Sequence, residues 1–157
     1  MKLIMKRIPV HLENLRIEIL WNHATFAASE ASLRKMKKAI ILVGAHHVGK
    51  SLTINEHLKP MLDMKPQAHL FTLEGKSGFV LSQSAEEAER DVEATVEKYS
   101  DHDFLVLAAR PYSDPVSQLK LLRSMLQKAS FVVNEVAIHS ETEAPKKARE
   151  IFALLSK

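Results

Sequence analysis

One octapeptide limits what this chain can fold into more than any other stretch: Gly44-Ala45-His46-His47-Val48-Gly49-Lys50-Ser51. Its two glycines permit backbone conformations that a Cβ disfavours, so the chain can turn sharply and expose successive amides. Upstream, Lys37-Lys38-Ala39-Ile40-Ile41-Leu42-Val43 is an unbroken apolar run after two charges. Such a run is expected of a strand buried on both faces in a parallel sheet. Downstream, Leu52 to Leu62 interleaves Leu52, Leu58 and Leu62 with Glu56 and Lys59, which predicts a helix that frays near Pro60. Strand, glycine loop and helix in that order commit the chain to an α/β architecture.

The octapeptide fits Gly-x-x-x-x-Gly-Lys-[Ser/Thr], and the segment from Met36 to Lys157 resembles the P-loop NTPase superfamily. The resemblance implies a three-layer fold with a mainly parallel sheet, and a loop whose backbone N–H groups cradle phosphates at a helix N-terminus. It implies ATP, with GTP less favoured, and Mg2+ as cofactors. The binding residues would be Gly44, Ala45, His46, His47, Val48, Gly49, Lys50, Ser51 and Leu52. Lys50 would reach the β- and γ-phosphates, and the Ser51 hydroxyl would hold the magnesium ion. The competing reading is a tight strand-to-helix turn that binds nothing.

The remainder of the chain extends the alternation. His69 to Glu74 and Phe79 to Ser82, around Gly75-Lys76-Ser77-Gly78, read as a β-hairpin after the loop's helix. Ser84-Ala85-Glu86-Glu87 reads as a capping box opening an amphipathic helix through Tyr99, its acidic face solvated. Asp103 to Ala109 is a second buried strand. Asp114-Pro115 carries the N-cap and first-turn proline of a helix with Leu119, Leu122, Met125 and Leu126. Phe131 to Ile138 is a last strand, and Pro145 opens a closing helix with Ala148, Ile151, Phe152 and Leu155 on one face.

Residues 1–35 fit poorly with this pattern. They are expected to be an N-terminal extension, either a helical hairpin on the strength of Leu12, Leu15 and Ile19, or a poorly ordered appendage outside the core. They also hold the whole net charge of +3, six basic residues against three acidic, while 16 of each sign follow from Met36 onward. A neutral domain argues against a nucleic-acid partner. The absence of cysteine removes disulfides, thiolate metal sites and cysteine nucleophiles, and fits a cytoplasmic protein. No apolar run approaches 18 residues, so no membrane span is expected.

The superfamily usually places an acid at the end of a later apolar strand to hold magnesium or its water, whereas here the strand ends Ala108-Ala109-Arg110. Glu74, at a hairpin strand end, is the substitute for the metal. Asp114 is the substitute for positioning water, against the simpler reading of a helix cap. Arg110 follows a buried strand at the edge where phosphates would lie and would stabilise γ-phosphate charge, unless it is an ordinary surface arginine paired with an acid. Lys50, Arg110 and Asp114 are thus the candidate catalytic residues, and Ser51 and Glu74 the candidate metal ligands. His46 and His47 at the loop apex would touch a γ-phosphate or stand exposed without a role.

Three functions stay open. The first is an ATP-binding accessory or switch protein with slow or partner-stimulated hydrolysis. Its partner would be an unidentified protein or small molecule, and its hairpin is similar to that of small accessory P-loop proteins such as the one assisting molybdopterin guanine dinucleotide synthesis. A small-molecule or nucleotide kinase is the second, weakened by only four arginines after residue 36. The third is a non-catalytic nucleotide-binding module. No Asn-Lys-x-Asp run is present to read guanine, which lowers GTP.

Overall fold

A computed structural model describes residues 36–157. The expectations for residues 1–35 lie outside the described residues. Element order is β1 (Lys37–Val43), α1 (residues 50–61), β2 (Leu70–Leu73), β3 (Lys76–Val80), α2 (Val92–Tyr99), β4 (Phe104–Ala109), α3 (Leu119–Lys128), β5 (Phe131–Ala137), a 3₁₀ turn (Glu141–Glu143) and α4 (Ala144–Leu155).

The five strands form one mixed, mostly parallel sheet in the order β2-β3-β4-β1-β5. β1 lies between β4 and β5, pairing Val43 with Ala109 on one side and Ala137 on the other. Its alternation builds two cores. Ile40 and Leu42 point to the face covered by α1 and α4, where Ile54, Leu58, Ala148 and Ile151 pack. Ala39, Ile41 and Val43 point to the face covered by α2 and α3, where Val96, Leu119, Leu122 and Leu126 pack. A strand central in the sheet and covered on both faces has no place for a polar side chain, which is why β1 reads as continuously apolar.

β2 and β3 form the expected hairpin, but the turn is tighter than the sequence predicts. Glu74 and Gly75 occupy it with φ of 51° and 75°, a two-residue connection whose twist suits paired strands. Lys76 to Gly78 therefore belong to β3, and Gly78 faces Phe71 across the pair. The Phe71 ring lies where a Cβ at Gly78 would be, with Cζ 2.1 Å from that position.

The helix after the glycine loop ends at Met61, one residue beyond Pro60 and close to where the sequence predicts, while two other local expectations are corrected. Within that helix Thr53–Leu58 is wound as a π-helix. An extra residue in that turn changes the bonding register just ahead of the proline, which has no N–H to donate. Ser84 to Arg90 is not the first turn of a long helix. It is an irregular turn with Glu89 at φ 50°, and α2 starts only after Asp91, whose side chain accepts a 2.7 Å hydrogen bond from the Ala94 amide. Asp114-Pro115 does not open α3, which begins four residues later behind Gln118.

Candidate functional site

The carboxyl ends of the parallel strands meet at Gly44. Its N–H donates to the Ala109 carbonyl at 3.1 Å, while the Val43 carbonyl accepts from Ile138 N–H at 2.9 Å, so the loop leaves a point fixed from both sides. The backbone then turns through two left-handed residues, His47 at φ 61° and Gly49 at φ 99°. Gly44 has no room for a side chain, and Gly49 has little. A Cβ on Gly44 would lie 2.6 Å from Val48 Cγ2 and 2.8 Å from the Ile138 carbonyl, and one on Gly49 would lie 3.0 Å from Glu141 Cα. Among the described residues no acceptor takes the N–H groups of residues 45–52; the first helical amide to be satisfied is that of Thr53, bonded to the Gly49 carbonyl at 2.8 Å. A run of unclaimed amides at the start of a helix attracts negative charge.

Lys50 is folded into this loop with only 3% of its side chain exposed. Its ammonium donates to the Gly44 carbonyl at 2.9 Å and the Ala45 carbonyl at 2.7 Å, and lies 3.3 Å from Glu87 Oε1. The same carboxylate oxygen is 3.0 Å from His46 Nδ1. One oxygen thus bridges an ammonium and an imidazole. Burial of Glu87 opposes its ionisation, but the His46 hydrogen bond, the charge and hydrogen bond of Lys50 and a Ser84 backbone bond outweigh it, so the carboxyl titrates below the ordinary 4.5. A carboxylate can only accept, so Nδ1 carries the imidazole hydrogen toward it.

Ser51 stands at the helix entrance and donates to the Ser82 carbonyl at 3.1 Å. An open cleft lies over the loop, bounded across from it by Gln83, Glu87 and Glu141. Of the two carboxylate residues lining it, Glu87 is the one in contact with Lys50. Among the described residues no three His, Asp or Glu side chains gather as a ready metal cage. The oxygen donors available at the cleft are the Ser51 hydroxyl and the two glutamates.

The structure separates the remaining candidates from the loop. Glu74 sits in the hairpin turn beside Lys76, and because Gly78 pairs with Phe104 that turn is at the amino end of the parallel strands, away from Gly44. It cannot share a metal with Ser51. Arg110 does follow β4 at the loop's edge, but its guanidinium is bonded to Asp114 at 3.3 Å, the arginine–acid pair that competed with the phosphate reading. Its Nε is buried and unpartnered among the described residues. Asp114 caps neither helix; its other oxygen accepts from the Val116 amide at 3.1 Å, closing a local turn.

Glu87 is the site residue that sequence reasoning missed. The Ser84–Glu87 spacing suggests a reciprocal cap, and half of it forms, with the Glu87 amide donating to Ser84 Oγ at 3.3 Å. The carboxylate instead crosses to a loop 41 residues away in sequence. Its neighbour Glu86 turns the opposite way and accepts from the Gln118 amide at 2.7 Å, so the turn between β3 and α2 touches both the glycine loop and the entrance of α3. Compared with known proteins, the chain matches no family model, no curated protein and no solved structure. Among the described residues no helix is long and apolar enough to cross a membrane.

Proposed function

We propose that the loop from Gly44 to Leu52 binds the phosphates of a nucleoside triphosphate, placing the chain among P-loop nucleotide-binding proteins. Within that class we propose an ATP-binding protein with slow or partner-stimulated hydrolysis. The observation that carries the reading is the conjunction at one point of unclaimed amides, a Gly44 closed to any Cβ beside a left-handed Gly49, and a lysine buried in the loop. A turn that merely joined β1 to α1 would also leave the first helical amides open, but it would not need the buried ammonium.

In this reading the amides of residues 45–52 and Lys50 hold the phosphate oxygens, and Ser51 turns from the Ser82 carbonyl toward the magnesium ion. Bound magnesium would neutralise charge on the β- and γ-oxygens. Glu87 and Glu141 face the phosphates and disfavour a metal-free polyanion, so binding is expected to depend steeply on magnesium. ATP is preferred to GTP because nothing in the sequence supplies the guanine-reading run.

The test is calorimetric titration of ATP, GTP and their diphosphates, with magnesium, into the full chain and its Lys50→Ala variant. ATP binding that is lost in the variant is the expected result. Equal and weak binding by both proteins would refute the assignment. Phosphate appearing on an added small molecule instead of in water would move the reading to a kinase.

A further inference from the structure

We infer that Glu87 is a tethered anion that occupies Lys50 until phosphate displaces it, and so sets which phosphate ligands the loop accepts. The inference rests on the phosphate reading of the loop. An ammonium has three hydrogens to donate. On Lys50 two are given to the Gly44 and Ala45 carbonyls, and Glu87 Oε1 lies 3.3 Å from the same ammonium as its ion-pair partner. A ligand anion meets a charge that is already paired.

The three acceptors are not equally replaceable. The two carbonyls belong to the loop that begins at the clamped Gly44, and their bonds are short, 2.9 and 2.7 Å. Glu87 is the longest contact at 3.3 Å, is carried on an irregular turn, and has the same sign as an arriving phosphate. It alone would be repelled by the ligand. It also has somewhere to stay, because His46 Nδ1 already binds the same oxygen at 3.0 Å. Exchange therefore requires a small withdrawal toward His46 and no unfolding of the turn.

Selectivity follows from what each ligand gains. A single phosphate that reaches Lys50 merely replaces one anion by another. A polyphosphate replaces Glu87 and also engages the amides of residues 45–52, gains that a short anion does not collect together. Glu87 thus raises the threshold for weak anions and leaves polyphosphates bound.

The experiment compares wild type, Glu87→Gln, Glu87→Ala and Lys50→Ala, titrated with ATP, pyrophosphate and inorganic phosphate in EDTA, with each variant's thermal melt recorded. The glutamine keeps the shape and a bond to His46 while removing the charge. Expected is a gain of about tenfold in ATP affinity, the equivalent of one charged hydrogen bond, with phosphate and pyrophosphate gaining at least as much. The gain should vanish when Glu87→Gln is combined with Lys50→Ala. If Lys50→Ala weakens ATP but both Glu87 variants bind no tighter than wild type, Glu87 is not the competitor and this inference alone falls. If no folded variant binds any of the three ligands, either in EDTA or in a parallel series with magnesium, the phosphate reading falls and this inference with it.

Discussion

Replacing Gly49 by alanine tests the geometry of the loop without reference to any ligand. Gly49 has φ 99°, and a Cβ there would stand 3.0 Å from both Cα and Cγ of Glu141. Two separate costs follow. Holding a non-glycine residue in left-handed backbone costs about 1–2 kcal/mol, and crowding a packed contact adds roughly 1–3 kcal/mol. Glu141 is exposed in a short 3₁₀ turn that can give way, so the lower end of the second range applies. The sum is about 2–3 kcal/mol, or roughly 6–15 °C of melting temperature for a domain of about 120 residues. Gly75→Ala is the control. It has φ 75° with nothing within 4 Å of its Cβ, so it carries the backbone cost alone, about 1–2 kcal/mol. Urea unfolding followed by circular dichroism measures both variants, and their difference isolates the contact with Glu141. Equal losses would remove that contact from the account. No loss at Gly49 would refute the left-handed loop itself.

Two other outcomes follow from the same packing. Gly78→Ala places a methyl 2.1 Å from Phe71 Cζ and should cost about 2 kcal/mol by overpacking; pairing it with Phe71→Leu should recover part of that loss, and strict additivity in a double-mutant cycle would show the ring does not cover Gly78. Glu87 has a folded pKa below its ordinary 4.5, so its contribution to stability is complete above the unfolded value and disappears as pH falls through the folded one. Glu87→Gln should therefore flatten the acid limb of the stability profile below about pH 4.5, measured as chemical denaturation midpoints; an unchanged limb would mean the carboxylate is not held by Lys50 and His46.

What the sequence disclosed was local and repetitive. β1 was legible because a strand buried on both faces must be apolar at every position, and Ala39 to Val43 is. The glycine loop was legible because its two glycines are required by contacts within a few residues or by φ. The hairpin was legible, but its turn was displaced, since a glutamate at φ 51° does not advertise itself while Gly78 reads as a turn residue although it is needed beneath Phe71. Asp114-Pro115 carries the chemistry of a helix start, yet the aspartate is drawn to Arg110 and to the Val116 amide, and α3 begins later. Glu87 was illegible for a stronger reason. Its partners are set by the strand order, which brings the turn after β3 across the end of β4 toward β1, and no spacing within Ser84 to Arg90 encodes that. The same applies to Glu74, whose distance from the loop depends on the direction of β3 and not on its position at a strand end.

The clamp on Gly44 has a consequence for how the domain breathes. The hydrogen bonds from Gly44 to Ala109 and from Ile138 to Val43 extend the β1 ladders at the carboxyl end of a strand paired on both sides, next to the buried core. Amide hydrogens of β1 are then among the slowest in the protein to exchange with deuterated solvent, and Gly44 shares their protection. Beginning at Ala45 the next eight amides have no acceptor among the described residues, and Ala45 to His47 are exposed. Protection therefore drops as a step across one peptide bond. The loop is then solvent-labile in its hydrogens while its anchor is held with the core, so a ligand of the proposed kind would meet a scaffold whose ordering entropy was settled when the sheet formed.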